Sequence, residues 1–263
     1  MVWLADAVAC DVFLPDGLDA AEAGALLRAA LADAPVDIAV QRAAGRRRKL
    51  LIADMDSTMI DQECIDELAA EVGIKAEVAA ITAMSMNGEI AFEPALRQRV
   101  ALLKGLDQSV IERLIRDRIT LASGARELVA TMNRDGAFTA LVSGGFTAFT
   151  SRIAAELGFR EHRANTLLIH AGRLTGEVAE PILGREAKAT ALMEICARLG
   201  IGLDEAIAVG DGANDLDMLA LAGAGVALHA KPAVAAQAKI RIDHGDLTAL
   251  LYLQGYRSQD FAR

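Results

Sequence analysis

The chain has 263 residues, 53% of them apolar but only 4% aromatic, and a formal net charge of −9. That length supports a large buried core, either as one domain or as a domain with a smaller companion. The charge argues against a general nucleic-acid binder, and no apolar run approaches the ~20 residues needed to span a bilayer, so neither nucleic acid nor membrane is an expected partner.

The first residues include Asp6 and Asp11 with no basic start, which does not read as a signal peptide. Cys10, Cys64 and Cys196 are widely spaced and odd in number. They make neither a metal motif nor a disulfide framework, which points to a reducing, cytoplasmic setting with Cys64 as a buried structural thiol. With so few aromatics, Ala, Leu, Val and Ile must do the packing, a composition suited to helices on a parallel sheet.

In chain order, residues 8–14 and 36–41 read as strands around an amphipathic helix at 19–33, whose apolar stripe is Leu26, Leu27, Ala30 and Leu31. This predicts a small N-terminal β-α-β unit over residues 1–46. The basic cluster Arg46, Arg47, Arg48 and Lys49 reads as a solvated linker. Residues 50–58, Leu-Leu-Ile-Ala-Asp-Met-Asp-Ser-Thr, form an apolar strand ending in Asp54 and Asp56. Alternate side chains of a strand share a face, so both carboxylates project from the strand end, where open α/β sheets bind ligands. Crowded carboxylates repel unless a cation or a proton separates them, which predicts a metal site, an acid/base pair, or both.

Helical patterns then follow one another at 62–72, 75–85, 93–104 and 108–118 with no strand signal between them. Residues 61–122 therefore read as a helical cap inserted over the strand ends, where lids exclude water and carry specificity. The α/β alternation resumes at Ser123, which is placed to cap a helix at 124–134 that Gly136 ends. A strand at 138–142 runs into Ser143-Gly144-Gly145, followed by a helix at 146–157 and a hairpin of 165–169 with 173–178 around Ala171-Gly172. A helix at 186–199 carries Lys188 near its start, and a strand at 206–210 runs into Asp211-Gly212-Ala213-Asn214-Asp215. Helix 214–222, strand 225–228, helix 232–238, strand 240–242 and helix 246–253 complete the pattern. Strands alternating with helices predict an α/β fold with a doubly wound, mostly parallel, Rossmann-like sheet.

Taken in order, the Asp54-Met55-Asp56-Ser57-Thr58 turn, the Ser143-Gly144 strand end, Lys188 and the Gly210-to-Asp215 loop resemble the haloacid dehalogenase superfamily of phosphohydrolases. The closer likeness, over roughly residues 47–250, is to its phosphoserine phosphatase branch. The resemblance implies a core of residues 47–60 and 123–263 under the cap at 61–122. It also implies Mg²⁺-dependent hydrolysis of O-phospho-L-serine, the last step of serine biosynthesis, with a small-molecule substrate and a monomeric or homodimeric enzyme.

The residue chemistry suits that expectation. Phosphate-ester hydrolysis needs positioning and charge neutralisation. Asp54 can act as nucleophile through an aspartyl-phosphate, while Asp56 protonates the leaving oxygen and then takes a proton from the attacking water. Mg²⁺ prefers oxygen ligands, and Asp54 and Asp211 offer carboxylates; a ligand role for the Asp56 carbonyl comes from the resemblance. Ser143 and the Gly144 amide can hold phosphoryl oxygens, and Lys188 supplies positive charge to them and to Asp54. The resemblance further places Asn214 near the phosphate and Asp215 behind the lysine. It assigns Arg99 to the substrate carboxylate, Glu63 to its ammonium, and Met86 and Phe92 to apolar lid contacts.

Competing motifs fail. Asp215 stands where a dinucleotide fingerprint needs its third glycine, and no phosphate loop ending in Gly-Lys-Ser/Thr occurs. His162, His170, His229 and His244 have no zinc spacing. Three rivals share parts of the pattern: a phosphotransferase or phosphatase of the same fold acting on another small ester such as phosphohomoserine, a phospho-aspartate receiver module, and a catalytically silent amino-acid-binding protein.

Overall fold

The computed structural model describes residues 1–263 apart from 16, 33, 88 and 263 and the side chain of Met86. The lid contact expected of Met86 therefore lies outside the described residues. Strands β1 (Val2–Ala5) and β2 (Ala9–Asp11) pair antiparallel, and helix α1 (Ala20–Ala30) follows, N-capped by Asp19 accepting from the amides of Ala21 and Glu22 at 2.9 Å. This opening unit is β-β-α; the β-α-β order expected of residues 1–46 is not what forms. The reason lies in the stretch predicted as its second strand, 36–41, which makes no ladder. Asp37 there accepts from the amides of Asp243, His244 and Gly245, and Gln41 donates to the carbonyl of Leu253. Side chains tie the segment to the core in place of backbone pairing. Nor is the predicted stripe of α1 its buried face: Ala23 and Gly24 are buried and Leu26 is 60% exposed, because the small residues allow the closer approach.

The basic cluster is pinned, with Arg46 on Asp11 (2.6 Å), Arg48 on the carbonyl of Asp204, Lys49 on Glu205 (2.5 Å) and Arg47 stacked on the Tyr256 ring. Strand β3 (Leu50–Ala53) is the apolar run read from the sequence, buried on both faces. After it come four helices, α2 (Cys64–Ala70), α3 (Lys75–Met86), α4 (Phe92–Ala101) and α5 (Ser109–Asp117). The chain leaves and re-enters the sheet region at adjacent points. Ile60 bridges Leu121, the Asp61 amide donates to the Thr120 carbonyl at 3.1 Å, and the Ala122 amide donates to the Met59 carbonyl at 3.0 Å.

The remainder runs α6 (Ala125–Arg134), β4 (Phe138–Phe146), α7 (Thr147–Leu157), β5 (Glu161–Asn165), the hairpin β6 (Leu167–His170) with β7 (Arg173–Val178), and α8 (Arg185–Leu199). It continues with β8 (Ala206–Gly210), α9 (Leu216–Leu221), β9 (Ala224–Leu228), α10 (Pro232–Ala235), β10 (Ile240–Ile242) and α11 (Ala249–Leu253). The main sheet has six parallel strands in the order β10-β9-β8-β3-β4-β5. Alternate residues of β3 serve its two faces: Leu51 and Ala53 pack toward α6, α7 and α11, Leu50 and Ile52 toward α8 and α9.

Strand β5 was not foreseen, because Glu161-His162-Arg163 at a sheet edge carries no apolar run. Ser143 does not begin a turn, since β4 continues through an irregularity in its pairing to Phe146 opposite Asn165. Nor does Ser123 cap α6: Gly124 is the N-cap, and the Ser123 hydroxyl donates to Asp246 at 2.6 Å. The chain lays β4 and β5 on one side of β3 and later β8, β9 and β10 on the other, so the strand order reverses beside β3. Ligand crevices form at the carboxyl ends of strands at such a point.

Candidate active site

The carboxyl end of β3 delivers Asp54 and Asp56, that of β4 delivers Ser143 and Gly144, and β8 runs directly into Asp211. Lys188 enters from the first turn of α8. It is wholly buried, with Nζ 2.8 Å from Asp54 Oδ1 and 2.6 Å from Asp215 Oδ1. Burial alone would push the ammonium pKa down, but the two carboxylates outweigh it and the value is raised. Asp54 Oδ1 also accepts from the Met55 amide at 2.7 Å. Asp215 completes its own set by accepting from the Gly212 amide at 3.0 Å. A Cβ at Gly210 would come within 2.3 Å of the Asp215 Cγ, so only glycine lets that carboxyl tuck against the strand.

Asp56 is held by the Cys64 amide (2.9 Å to Oδ1) and faces the Ser143 hydroxyl (3.4 Å to Oδ2). Burial first, and the charge of Asp54 after it, push its carboxyl up to about 6 against the pull of the Cys64 amide. A carboxyl poised there can be protonated when a substrate binds and ionised afterwards. The Cys64 thiol, raised by burial and by Asp56, is buried and unreactive.

One atom stands out: Asp211 Oδ2 is buried without a hydrogen-bond partner among the described residues, while Oδ1 takes only a 3.3 Å bond from Thr58. Burial, then the charges of Glu63, Asp215 and Asp54, push the Asp211 carboxyl well above its ordinary range. Carboxylate oxygens of Asp54, Asp211 and Asp215 lie within 4.8 Å of one another, all buried. An orphaned acceptor in an all-oxygen donor set fits a hard divalent cation, whose charge would reverse that pressure. Asp215 has both oxygens engaged by Lys188 and Gly212, so Asp54 and Asp211 have the open acceptor capacity.

The opposite wall comes from the helices. Glu63, at the start of α2, accepts from the Ser57 hydroxyl at 2.6 Å. Burial and then the charge of Asp56 push it up to about 8, so a neighbouring cation would be needed to ionise it fully at neutral pH. Arg99 on α4 is 5% exposed. Its Nε donates to the Ala95 carbonyl at 3.1 Å and its Nη1 to the Thr82 hydroxyl at 3.0 Å. Phe92 lies over the glycines of the facing wall; a Cβ at Gly144 would meet the ring at 2.7 Å.

Between the walls is a cavity of about 390 Å³. Of the residues anticipated from the sequence, Asp54, Asp56, Glu63, Phe92, Arg99, Ser143, Gly144 and Asn214 line it. Lys188, Asp211 and Asp215 do not line it but are buried within reach of Asp54. Three supporting residues had no sequence signal. Asn165 donates to the carbonyls of Gly144 (2.8 Å) and Leu183 (3.0 Å) and accepts from the Leu183 amide, stitching the last part of β4 to the approach of α8. Ser57, in the left-handed region at φ 55°, holds Glu63, and Thr82 holds Arg99. Among the described residues no helix is long and apolar enough to cross a membrane.

A family model described as haloacid dehalogenase-like hydrolase matches residues 51–220. A phosphoserine phosphatase of Polaromonas sp. is 49% identical over 210 residues, 78% of this chain and 89% of that protein. One from Streptomyces coelicolor is 45% identical over 227 residues, 86% of this chain but 55% of its own, so this chain spans only about half of that relative. Among solved structures, a phospho-aspartyl intermediate analogue of phosphoserine phosphatase superposes with a TM-score of 0.75 at 41% identity, covering 78% of this chain and 98% of that one. A family hydrolase from Salmonella enterica serovar Typhi gives a TM-score of 0.83 at 33% identity, covering 92% and 83%. The strand-end carboxylates, the buried lysine and these likenesses agree: the chain belongs to the haloacid dehalogenase-like hydrolases and, within them, to the phosphoserine phosphatase family.

Proposed function

We propose that the protein hydrolyses O-phospho-L-serine to L-serine and phosphate, the last step of serine biosynthesis, in the cytoplasm. One observation carries the reading. A buried carboxylate, Asp54, is fixed by a buried lysine on one wall of a cavity whose other wall holds a buried guanidinium and a half-buried carboxyl. Phosphoserine presents matching groups: a phosphate, a carboxylate and an ammonium.

In this reading Asp54 attacks phosphorus, the serine oxygen leaves with the proton of Asp56, and the same Asp56 takes a proton from the water that hydrolyses the aspartyl-phosphate. Ser143, the Gly144 amide and Lys188 hold the phosphoryl oxygens, with Asn214 beside them and Asp215 steadying the lysine. Arg99 takes the substrate carboxylate and Glu63 its ammonium, which restores the charge that burial suppresses. Phe92 closes the apolar side. Asp54 and Asp211, with the Asp56 carbonyl, would hold Mg²⁺, which would supply charge neutralisation for the transferring phosphoryl group. Residues 61–122 serve as the cap over a core of 47–60 and 123–263, with residues 1–46 packed on that core.

The test is phosphate release from O-phospho-L-serine against phosphoethanolamine and simple alkyl phosphates, with Mg²⁺ and with EDTA. Metal-dependent preference for phosphoserine is expected. Equal rates on all esters would overturn the substrate assignment, and release that requires an added alcohol acceptor would make the protein a phosphotransferase.

A further inference from the structure

A buried charge is ordinarily paired, because leaving water is costly. Arg99 departs from that pattern: among the described residues no carboxylate forms a direct ion pair with it, although it is 5% exposed. A guanidinium has five N–H donors. Here one at Nε goes to the Ala95 carbonyl and one at Nη1 to Thr82, and the other three meet no acceptor among the described residues. The Thr82 hydroxyl that accepts from Arg99 lies 2.8 Å from Asp66 Oδ1 and 3.0 Å from the Val78 carbonyl. It has a single proton to give, and an ionised carboxylate is the stronger acceptor.

Asp66, Thr82 and Arg99 sit on α2, α3 and α4, so this line of contacts crosses all three helices before it reaches the cavity. Its geometry separates two tasks. A direct Asp66–Arg99 bridge would neutralise the guanidinium but occupy the paired donors that grip a carboxylate bidentately. With Thr82 in between, the negative charge is felt through one hydroxyl, the side chain is held from two sides, and the Nη2 donors and one at Nη1 are left open.

We propose that Thr82 and Asp66 are positioning residues that hold Arg99 ready for the carboxylate of an amino-acid phosphate. This rests on the assignment of phosphoserine as substrate.

The test compares Thr82→Val, which keeps the shape and loses the hydroxyl, Thr82→Ser, which keeps the hydroxyl, and Asp66→Asn. Each is assayed on O-phospho-L-serine and on phosphoethanolamine, which has the ammonium but no carboxylate. Folding is checked by circular dichroism and thermal midpoint. Thr82→Val should lower the ratio of kcat/KM for phosphoserine over phosphoethanolamine about tenfold, some 1.4 kcal/mol, mainly by raising KM for phosphoserine. Asp66→Asn should lower it about threefold, and Thr82→Ser should stay within about twofold of the parent, margins set by the strength of one charge-assisted hydrogen bond. A parallel loss on both esters, or an unchanged ratio in folded Thr82→Val, would overturn the proposal while the substrate assignment stood. No preference for phosphoserine in the parent enzyme would overturn both.

Discussion

The two walls of the cavity are built on different principles. The sheet wall fixes its groups by position: Asp54 and Asp211 stand just beyond the ends of β3 and β8, Ser143 lies in the last half of β4, and Lys188 lies between two carboxylates. The helical wall fixes its groups by neutral hydroxyls, Ser57 to Glu63 and Thr82 to Arg99, and among the described residues leaves both without a direct ionic partner. One wall has its ion pairs already made, and in the proposed reading the other keeps its groups for the substrate. Groups that do chemistry gain from rigidity and a fixed field, whereas groups that select a substrate must keep donors open until it comes.

Substitutions can break this contrast. The largest effect is expected from Asp54→Asn, which removes the nucleophile of the proposed reaction: phosphate release should fall by three orders of magnitude or more, roughly the scale of losing a covalent catalyst, with circular dichroism unchanged. Activity near that of the parent would remove Asp54 from the chemistry. Next, Lys188→Met leaves Asp54 and Asp215 facing each other without their cation. Chemical denaturation in EDTA should show a loss of about 3 kcal/mol, as for other buried pairs deprived of one member. A variant as stable as the parent would mean the sheet wall is not held by its ions.

On the helical wall, Arg99→Ala should raise KM for phosphoserine about a hundredfold, close to the ~3 kcal/mol of a charge-assisted pair, with a much smaller effect on phosphoethanolamine. Equal effects would show that the two walls do not divide the work. The smallest effect sharpens how the walls meet. Gly144→Ala should clash with the Phe92 ring and Phe92→Ala should relieve it, so a double-mutant cycle on kcat/KM should show coupling of about 1 kcal/mol. Additive effects would mean the ring moves aside freely.

The sheet wall was far more legible in the sequence than the helical one. Leu50–Ala53 and Ala206–Gly210 are strands where apolar runs stop at acidic residues, and Asp54 and Asp211 sit at those stops. A strand buried on both faces leaves little freedom for where its last residue points. Glu63 and Arg99 could be singled out only by resemblance, because periodicity cannot tell a buried arginine on an amphipathic helix from Arg97 two residues away, which is exposed and paired with Glu93. Thr82 and Asn165 gave no signal at all, since their roles arise from partners 17 and 21 residues distant along the chain. The N-terminal unit misled for the opposite reason. Residues 36–41 read as a second strand, but Asp37 and Gln41 find partners on the core and the stretch makes no ladder among the described residues.

The adjacency of Met59 to Ala122 and of Asp61 to Thr120 has an evolutionary corollary. Everything between these points leaves the sheet and returns to the same spot, so strand order and registry do not depend on its length. Lengthening such an excursion costs little, about 0.6 kcal/mol per doubling of a flexible loop. A different helical excursion could be grafted at this junction and meet the same β3 and β4 ends. In the proposed reading, selectivity is thus a replaceable cartridge, and the reaction stays with the socket.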